Sequence, residues 1–285
     1  MRSIAFFKMH GLGNDFVVFD ARGGPVAIDA AAARALADRH TGIGCDQVIA
    51  IERPREAAAH AAMRIWNADG STAGACGNAA RCVAWLIGRD NGTEQVRIET
   101  DSGLVAAEML ADGRVAVDMG RPRTVWHEIP LARDMDTGRV ALRAGPLADP
   151  VCTSMGNPHA TFFVADPDAV DLGALGSVLE HDPLFPERAN IGVSAVQDRE
   201  RIRLRVWERG AGITLACGTG ACAALVASCR RGLTGRRATV ALDGGELEIL
   251  WHEDAADGAP GSVVMTGPAT FVFEGRIEAS LLGGG

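Results

Sequence analysis

The sequence predicts an α+β fold of two similar domains related by a pseudo-twofold axis. Each is expected to be a mixed β-sheet or barrel wrapped around a central helix, with the active site in the cleft between them. Three observations carry this expectation. Short β-type runs recur along all 285 residues, while helical patterns are few. At roughly 150 residues per domain, the length suits about two domains. The chain also repeats itself when slid by half its length.

In the first half, Phe16–Asp20, Val48–Glu52, Arg64–Trp66, Val96–Thr100, Val105–Leu110 and Val115–Met119 read as strands. They are rich in β-branched and aromatic residues and bounded by Gly, Asp and Pro. In the second half the same holds for Thr161–Val164, Ile191–Val196, Ile202–Trp207, Thr239–Leu242 and Leu247–Trp251, with a further strand near Thr270–Phe273. Asp29 is the expected N-cap of a helix over Ala30–Ala37. A helix over Gly77–Ile87 is expected to stop at Gly88, and one over Gly218–Arg231 at Gly232, each by a glycine cap. Asp171–Leu179 gives a weaker fourth helical pattern.

Cys76 and Cys217 lie 141 residues apart (217 − 76). That offset aligns Arg64-Ile65-Trp66 with Arg205-Val206-Trp207, and Ala75-Cys76-Gly77-Asn78 with Ala216-Cys217-Gly218-Thr219. Tryptophan and cysteine are rare, so their falling in register argues for a true internal repeat. Asn67 then matches Glu208; an offset of 143 matches Gly13-Asn14 with Gly156-Asn157, and Gln47 with Asn190. Each half therefore carries, in order, an amide near its start, a second amide, a polar residue after a strand, and a Cys-Gly pair opening a helix. The first domain is expected over 1–120, with the segment near 268–285 a candidate to rejoin it, and the second over 121–267.

Composition narrows the chemistry. There is no tyrosine, and Lys8 is the sole lysine among 28 basic residues. A catalytic tyrosine is excluded, and a Schiff-base lysine has only Lys8 to use. The net charge of −8 argues against nucleic acid or an anionic membrane as partner. The apolar run Ile4–Phe7 is too short for a signal peptide, and no stretch approaches a membrane span. Seven cysteines without a C-x-x-C pair or zinc spacing point away from disulfides and metal, and toward a cytoplasmic protein with reduced thiols. Cys45, Cys82, Cys152, Cys222 and Cys229 are expected to be core residues by default.

A cysteine just before a helix sits by its positive end, which favours thiolate. The neighbouring N–H groups, from Gly77-Asn78 and Gly218-Thr219, suit a carboxylate. Two such turns facing one ligand would grip its carboxylate and present a sulfur to each face of the adjacent carbon. That arrangement suits inversion at an amino-acid α-carbon: a thiolate removes the proton from one face and a thiol returns one to the other. His159 and Glu208 are the candidates for tuning the two thiols. Another cofactor-free enzyme, such as a proline racemase or a phenazine-type isomerase, or an amino-acid-binding protein with structural thiols, would be the alternatives.

The segments Lys8–Phe16, Arg39–Gln47, Asn67–Ser71, Ala75–Asn78, Gly156–His159, Ala189–Ile191, Trp207–Gly212 and Ala216–Cys222, taken in order, resemble the diaminopimelate epimerases over nearly the whole chain. The resemblance implies cofactor-free interconversion of L,L- and meso-diaminopimelate, a step toward lysine and peptidoglycan. It implies that Cys76 deprotonates the L,L isomer and Cys217 the meso isomer. It implies substrate contacts from Asn14, Gln47, Asn67, Asn157, Asn190, Glu208 and Arg209, with Gly77, Asn78, Gly218 and Thr219 on the reacting carboxylate. It also implies a homodimer. Ile213 stands where a glutamate is usual, Thr72 and Gly74 where acidic residues are frequent, and Ala79 where glycine is frequent.

Overall fold

The computed structural model describes residues 3–254, 256 and 258–282. The chain forms two compact units. One runs from the N-terminus to Val117 and is rejoined by the segment from Gly267 onward; the other is Asp118–Thr266.

The first unit contains β1 (Ser3–Gly11), β2 (Asn14–Asp20), α1 (Ala30–Ala37), β3 (Gln47–Glu52), β4 (Ala61–Asn67), β5 (Thr72–Ala73), α2 (Gly77–Asn91), β6 (Gln95–Thr100), β7 (Gly103–Met109) and β8 (Val115–Asp118). The second contains a small hairpin, β9 (Arg143–Ala144) and β10 (Leu147–Ala148). It is followed by β11 (Val151–Ser154), β12 (Pro158–Phe163), α3 (Leu172–Glu180), β13 (Asn190–Asp198), β14 (Arg201–Glu208), β15 (Gly212–Thr214), α4 (Gly218–Arg230), β16 (Arg237–Leu242), β17 (Gly245–Trp251) and β18 (Val263–Gly267). The final strand, β19 (Thr270–Glu278), pairs antiparallel with β1 and so belongs to the first unit.

The repeat in the sequence is a repeat in topology. In the first unit β1–β2 is antiparallel, β2–β3 parallel, β3–β4 antiparallel, β4–β6 parallel, and β6–β7 and β7–β8 antiparallel. The series β11–β12–β13–β14–β16–β17–β18 has the same senses in the same order. Register is kept as well. Phe16 faces Gln47 as His159 faces Asn190, and Val48 faces Trp66 as Ile191 faces Trp207. The short strand before each Cys-Gly pair is also shared: Trp66 faces Thr72 as Trp207 faces Ile213.

Each unit folds around one helix. α2 packs against β1, β4, β6 and β7, with Asn78–Ala84 and Leu86–Gly88 buried. α4 packs against β11–β14, β16 and β17, with Gly218 and Gly220–Ser228 buried. Alanine and glycine on these helices let the surrounding sheet approach closely. No described helix is long and apolar enough to cross a membrane.

Two local expectations are corrected. α2 does not stop at Gly88 but runs to Asn91, capped by Gly92 at φ +64°. Gly88 serves a different purpose: a Cβ there would lie 2.1 Å from Met109 Sδ, so the missing side chain admits β7. β1 was not expected, because Lys8 and His10 interrupt its apolar run; pairing with both β2 and β19 overrides that weak local signal.

Candidate functional site

In the first unit the site residues gather around the opening of α2. Leu12 and Gly13, both at positive φ, turn β1 into β2 and deliver Asn14 at its start. Asn14 Oδ1 accepts from Asn78 Nδ2 at 3.2 Å and lies 3.9 Å from Cys76 Sγ. Its Nδ2 donates to Asp46 Oδ2 at 2.9 Å, which fixes which way the amide points. Gln47 Nε2 donates to Asn67 Oδ1 at 2.9 Å, and Asn67 Nδ2 to Ser71 Oγ at 3.0 Å. Cys76 is the N-cap residue of α2, half-buried, and its side chain does not cap the helix.

A charged clasp holds these amides. Asp15 accepts from Lys8 and from both terminal nitrogens of Arg39, while Arg39 also reaches Asp46 at 2.8 Å. Backbone N–H groups of Asp15 and Asp46 donate to each other's carboxylates at 3.1 and 3.0 Å. Burial opposes ionisation of Asp15, but Arg39 and Lys8 outweigh it and hold the carboxyl at about 2. Lys8 also donates to the Gly44 carbonyl. The only lysine of the chain is thus committed to fastening β1–β2 to the loop that enters β3.

In the second unit the corresponding residues form a connected chain. His159 Nε2 lies 3.0 Å from Asn157 Oδ1, Asn157 Nδ2 donates to Thr219 Oγ1 at 3.3 Å, and Thr219 Oγ1 lies 3.6 Å from Cys217 Sγ. His159 is buried, and burial followed by the charge of Arg209 pushes it down to about 3. It is therefore neutral, with Nε2–H donating to the Asn157 oxygen. The histidine reaches Cys217 only through Asn157 and Thr219.

Cys217 is buried and does cap its helix, accepting from Gly220 N–H at 3.3 Å. Burial, and then the Glu208 carboxylate, push this thiol well above its ordinary value. Thr214 donates to Glu208 Oε1. Asn190, buried at the start of β13, uses its amide on the backbone: Nδ2 donates to Pro158 O and Oδ1 accepts from Arg209 N–H. The exposed Arg209 guanidinium donates to Glu187 O at 2.8 Å, and among the described residues no carboxylate pairs with it.

Gly77 and Gly218 are the first residues of α2 and α4. First-turn N–H groups have no acceptor within a helix, so both openings offer donors to an anion. Cys45, Cys82 and Cys152 are buried like Cys217 but stand at no helix opening. Burial pushes Cys45, Cys82 and Cys152 up to about 12, which leaves them inert near neutrality.

The sequence reading missed Asp15, Arg39 and Asp46 as a clasp, and Thr214. The first three lie inside quoted motif segments, and Thr214 stands in register with Ala73, a polar residue gained in one copy only. The two copies also differ at Phe16 and His159, and at Asn67 and Glu208. Cys217 thus has the Glu208 carboxylate acting on it, whereas the equivalent position in the first copy is the amide of Asn67.

The family model for diaminopimelate epimerase matches residues 6–125 and 151–272. The diaminopimelate epimerase of Rhodospirillum centenum is 58% identical over 98% of this chain and 94% of its own length. That of Acidiphilium cryptum is 54% identical over 97% of each. Among solved structures, a PhzF-family phenazine biosynthesis protein of Bacillus anthracis matches with a TM-score of 0.69 at 15% identity, over 98% of this chain and 100% of that one. A hydroxyproline epimerase of Agrobacterium vitis matches with a TM-score of 0.69 at 16% identity, over 97% and 92%. These structural matches establish the shared fold. The family-model match and the sequence identities place the chain in the diaminopimelate epimerase family, among the isomerases.

Proposed function

We propose that this protein interconverts L,L- and meso-diaminopimelate without a cofactor, using Cys76 and Cys217 as the acid/base pair. The observation that carries the reading is the duplicated Cys-Gly helix opening in two unequal environments. Inversion requires one thiolate and one thiol at the same moment, so two identical sites would serve poorly. Cys217 is held protonated by burial and Glu208. Cys76, half-buried at the positive end of α2, is the base for the L,L isomer.

In that direction Cys76 thiolate takes the α-proton, and the C–H electron pair passes into the α-carbon and its carboxylate. First-turn N–H groups at Gly77-Asn78 and Gly218-Thr219 stabilise the developing charge. Cys217 S–H then delivers its proton to the opposite face. The thiol and thiolate have exchanged places, and the reverse reaction starts from Cys217. Asn14, Gln47, Asn67, Asn157 and Asn190 line the substrate's polar groups, and Arg209 takes the remote carboxylate as a bidentate partner. A one-carboxylate substrate such as proline would leave Arg209 idle. The commitment of Lys8 to Asp15 and Gly44 speaks against an imine route.

Within the same reading the product feeds lysine and peptidoglycan synthesis, and the enzyme works in the cytoplasm as a homodimer. Val272 and Phe273 of β19, 51% and 45% exposed, support an apolar contact between copies.

The test is incubation of pure L,L-diaminopimelate in D₂O. Deuterium should enter one α-carbon as the meso isomer appears; substrate that stays unchanged and undeuterated overturns the proposal. Cys76→Ala and Cys217→Ala should each slow epimerisation by at least about 100-fold. Wild-type rates in either would end the two-thiol mechanism.

A further inference from the structure

Glu180 has no role in the chemistry described so far, yet it is almost wholly buried, 2% exposed, at the last residue of α3. Its carboxylate accepts from the Trp207 indole Nε1–H at 2.7 Å and from the Gly210 backbone N–H at 3.0 Å. Arg188 lies 3.7 Å away. A buried carboxylate with both oxygens engaged by fixed donors is costly to disturb.

The two donors flank Glu208 and Arg209. Trp207 precedes the pair and Gly210 follows it, so one side chain fixes both ends of a two-residue segment. From the other side, Asn190 Oδ1 accepts the Arg209 N–H at 2.9 Å. The Trp207 ring is pinned against α3, since a Cβ on Gly176 would fall 2.4 Å from its Cδ2.

The matching segment of the first unit is also held from its helix, with reversed polarity. There Arg34 of α1 donates to the Asp69 carbonyl at 3.2 Å. Asp69 and Gly210 are equivalent positions, 141 residues apart (210 − 69). A strut from the helix between the second and third strands to the loop after the fourth is thus common to both copies. In the second copy alone it is an anion, and that loop alone carries the Glu208–Arg209 pair.

We propose that Glu180 is a positioning residue of the epimerisation site. By clamping Trp207 and Gly210 it sets the backbone from which Arg209 reaches the remote carboxylate and Glu208 faces Cys217. This rests on the diaminopimelate reading given above.

The experiment compares wild type, Glu180→Gln, Trp207→Phe, Arg209→Ala and the Glu180→Gln/Arg209→Ala double variant, using deuterium uptake and steady-state kinetics with L,L-diaminopimelate. Trp207→Phe removes the indole donor while keeping a ring on Gly176, so it carries the test should Glu180→Gln fail to fold. Glu180→Gln should raise KM about tenfold, with kcat within about threefold. Trp207→Phe should raise KM in the same sense. In the double variant the two KM effects should combine to much less than their product, because a misplaced Arg209 has little left to lose.

A wild-type KM in both Glu180→Gln and Trp207→Phe overturns the proposal. So does a fall in kcat alone that tracks a lost folded fraction, or KM effects that multiply in full. No deuterium uptake by the unmutated chain overturns the diaminopimelate reading and this one with it. Uptake by wild type with unaltered variants overturns this one alone.

Discussion

Cys217 and His159 show how burial moves two ionisable groups in opposite senses. For Cys217, burial and the Glu208 charge both oppose the thiolate. Glu208→Gln removes the charge and lowers the thiol's pKa. The alkaline fall of the rate for L,L-diaminopimelate should then begin at lower pH than in wild type, which a pH–rate profile measures; an unmoved alkaline limb would sever Glu208 from Cys217. For His159, the folded value of about 3 lies below the ordinary 6.5. On acidification the unfolded chain therefore takes up a proton that the folded chain refuses. Stability should fall from about pH 6.5 downward, by up to about 1.4 kcal/mol per pH unit. Urea titrations from pH 7 to pH 4 should show this slope in wild type and a flatter line in His159→Gln, which keeps a donor toward Asn157. That window lies above the acid range in which Asp15, held at about 2, takes up its proton. The two cysteines were legible from register alone, because rare residues aligned. Glu180 was not, since only folding brings it to Trp207, 27 residues further on.

At the scale of elements, the docking of α3 on β14 governs the Glu208–Arg209 segment. Gly176→Ala would drive a methyl group into the Trp207 ring. The expected cost is about 1–3 kcal/mol of stability. A lowered melting temperature with a raised KM for diaminopimelate checks it, and an unchanged melt would show that the contact relaxes freely. The elements that could be read in advance were those with strong local patterns. The β-branched runs of β3, β13 and β14 and the capped helix α1, where Asp29 accepts from Ala32 N–H, announce themselves. The short strands β5, β9, β10 and β15 span two or three residues each, too few to carry a period. Gly88 looks like a helix stop in the sequence, yet α2 continues one turn past it because its bare Cα admits Met109. A glycine in a helix has two uses, and sequence alone does not tell them apart.

At the scale of the whole molecule, the duplication gives two scaffolds of equal topology with side chains that have diverged where the chemistry must be unequal. If β19 carries the contact between copies, replacing Val272 and Phe273 by aspartate should convert a dimer to a monomer in sedimentation at micromolar concentration. A wild type that already sediments as a monomer would rule the dimer out. The pairing of β1 with β19 has a separate consequence, for the order in which the protein is made. Ser3–Gly11 leaves the ribosome early, while its partner Thr270–Glu278 follows more than two hundred residues later. At about 5–20 residues per second the wait is roughly 15–50 s. Phe6, which ends up packed against Phe19, Phe273 and Gly275, spends that interval without its neighbours on β19. The second unit, Asp118–Thr266, is contiguous in the chain, whereas the first must wait for the segment from Gly267 onward. The nascent first unit, with an unfinished strand edge, is the form that translation exposes to chaperones and proteases.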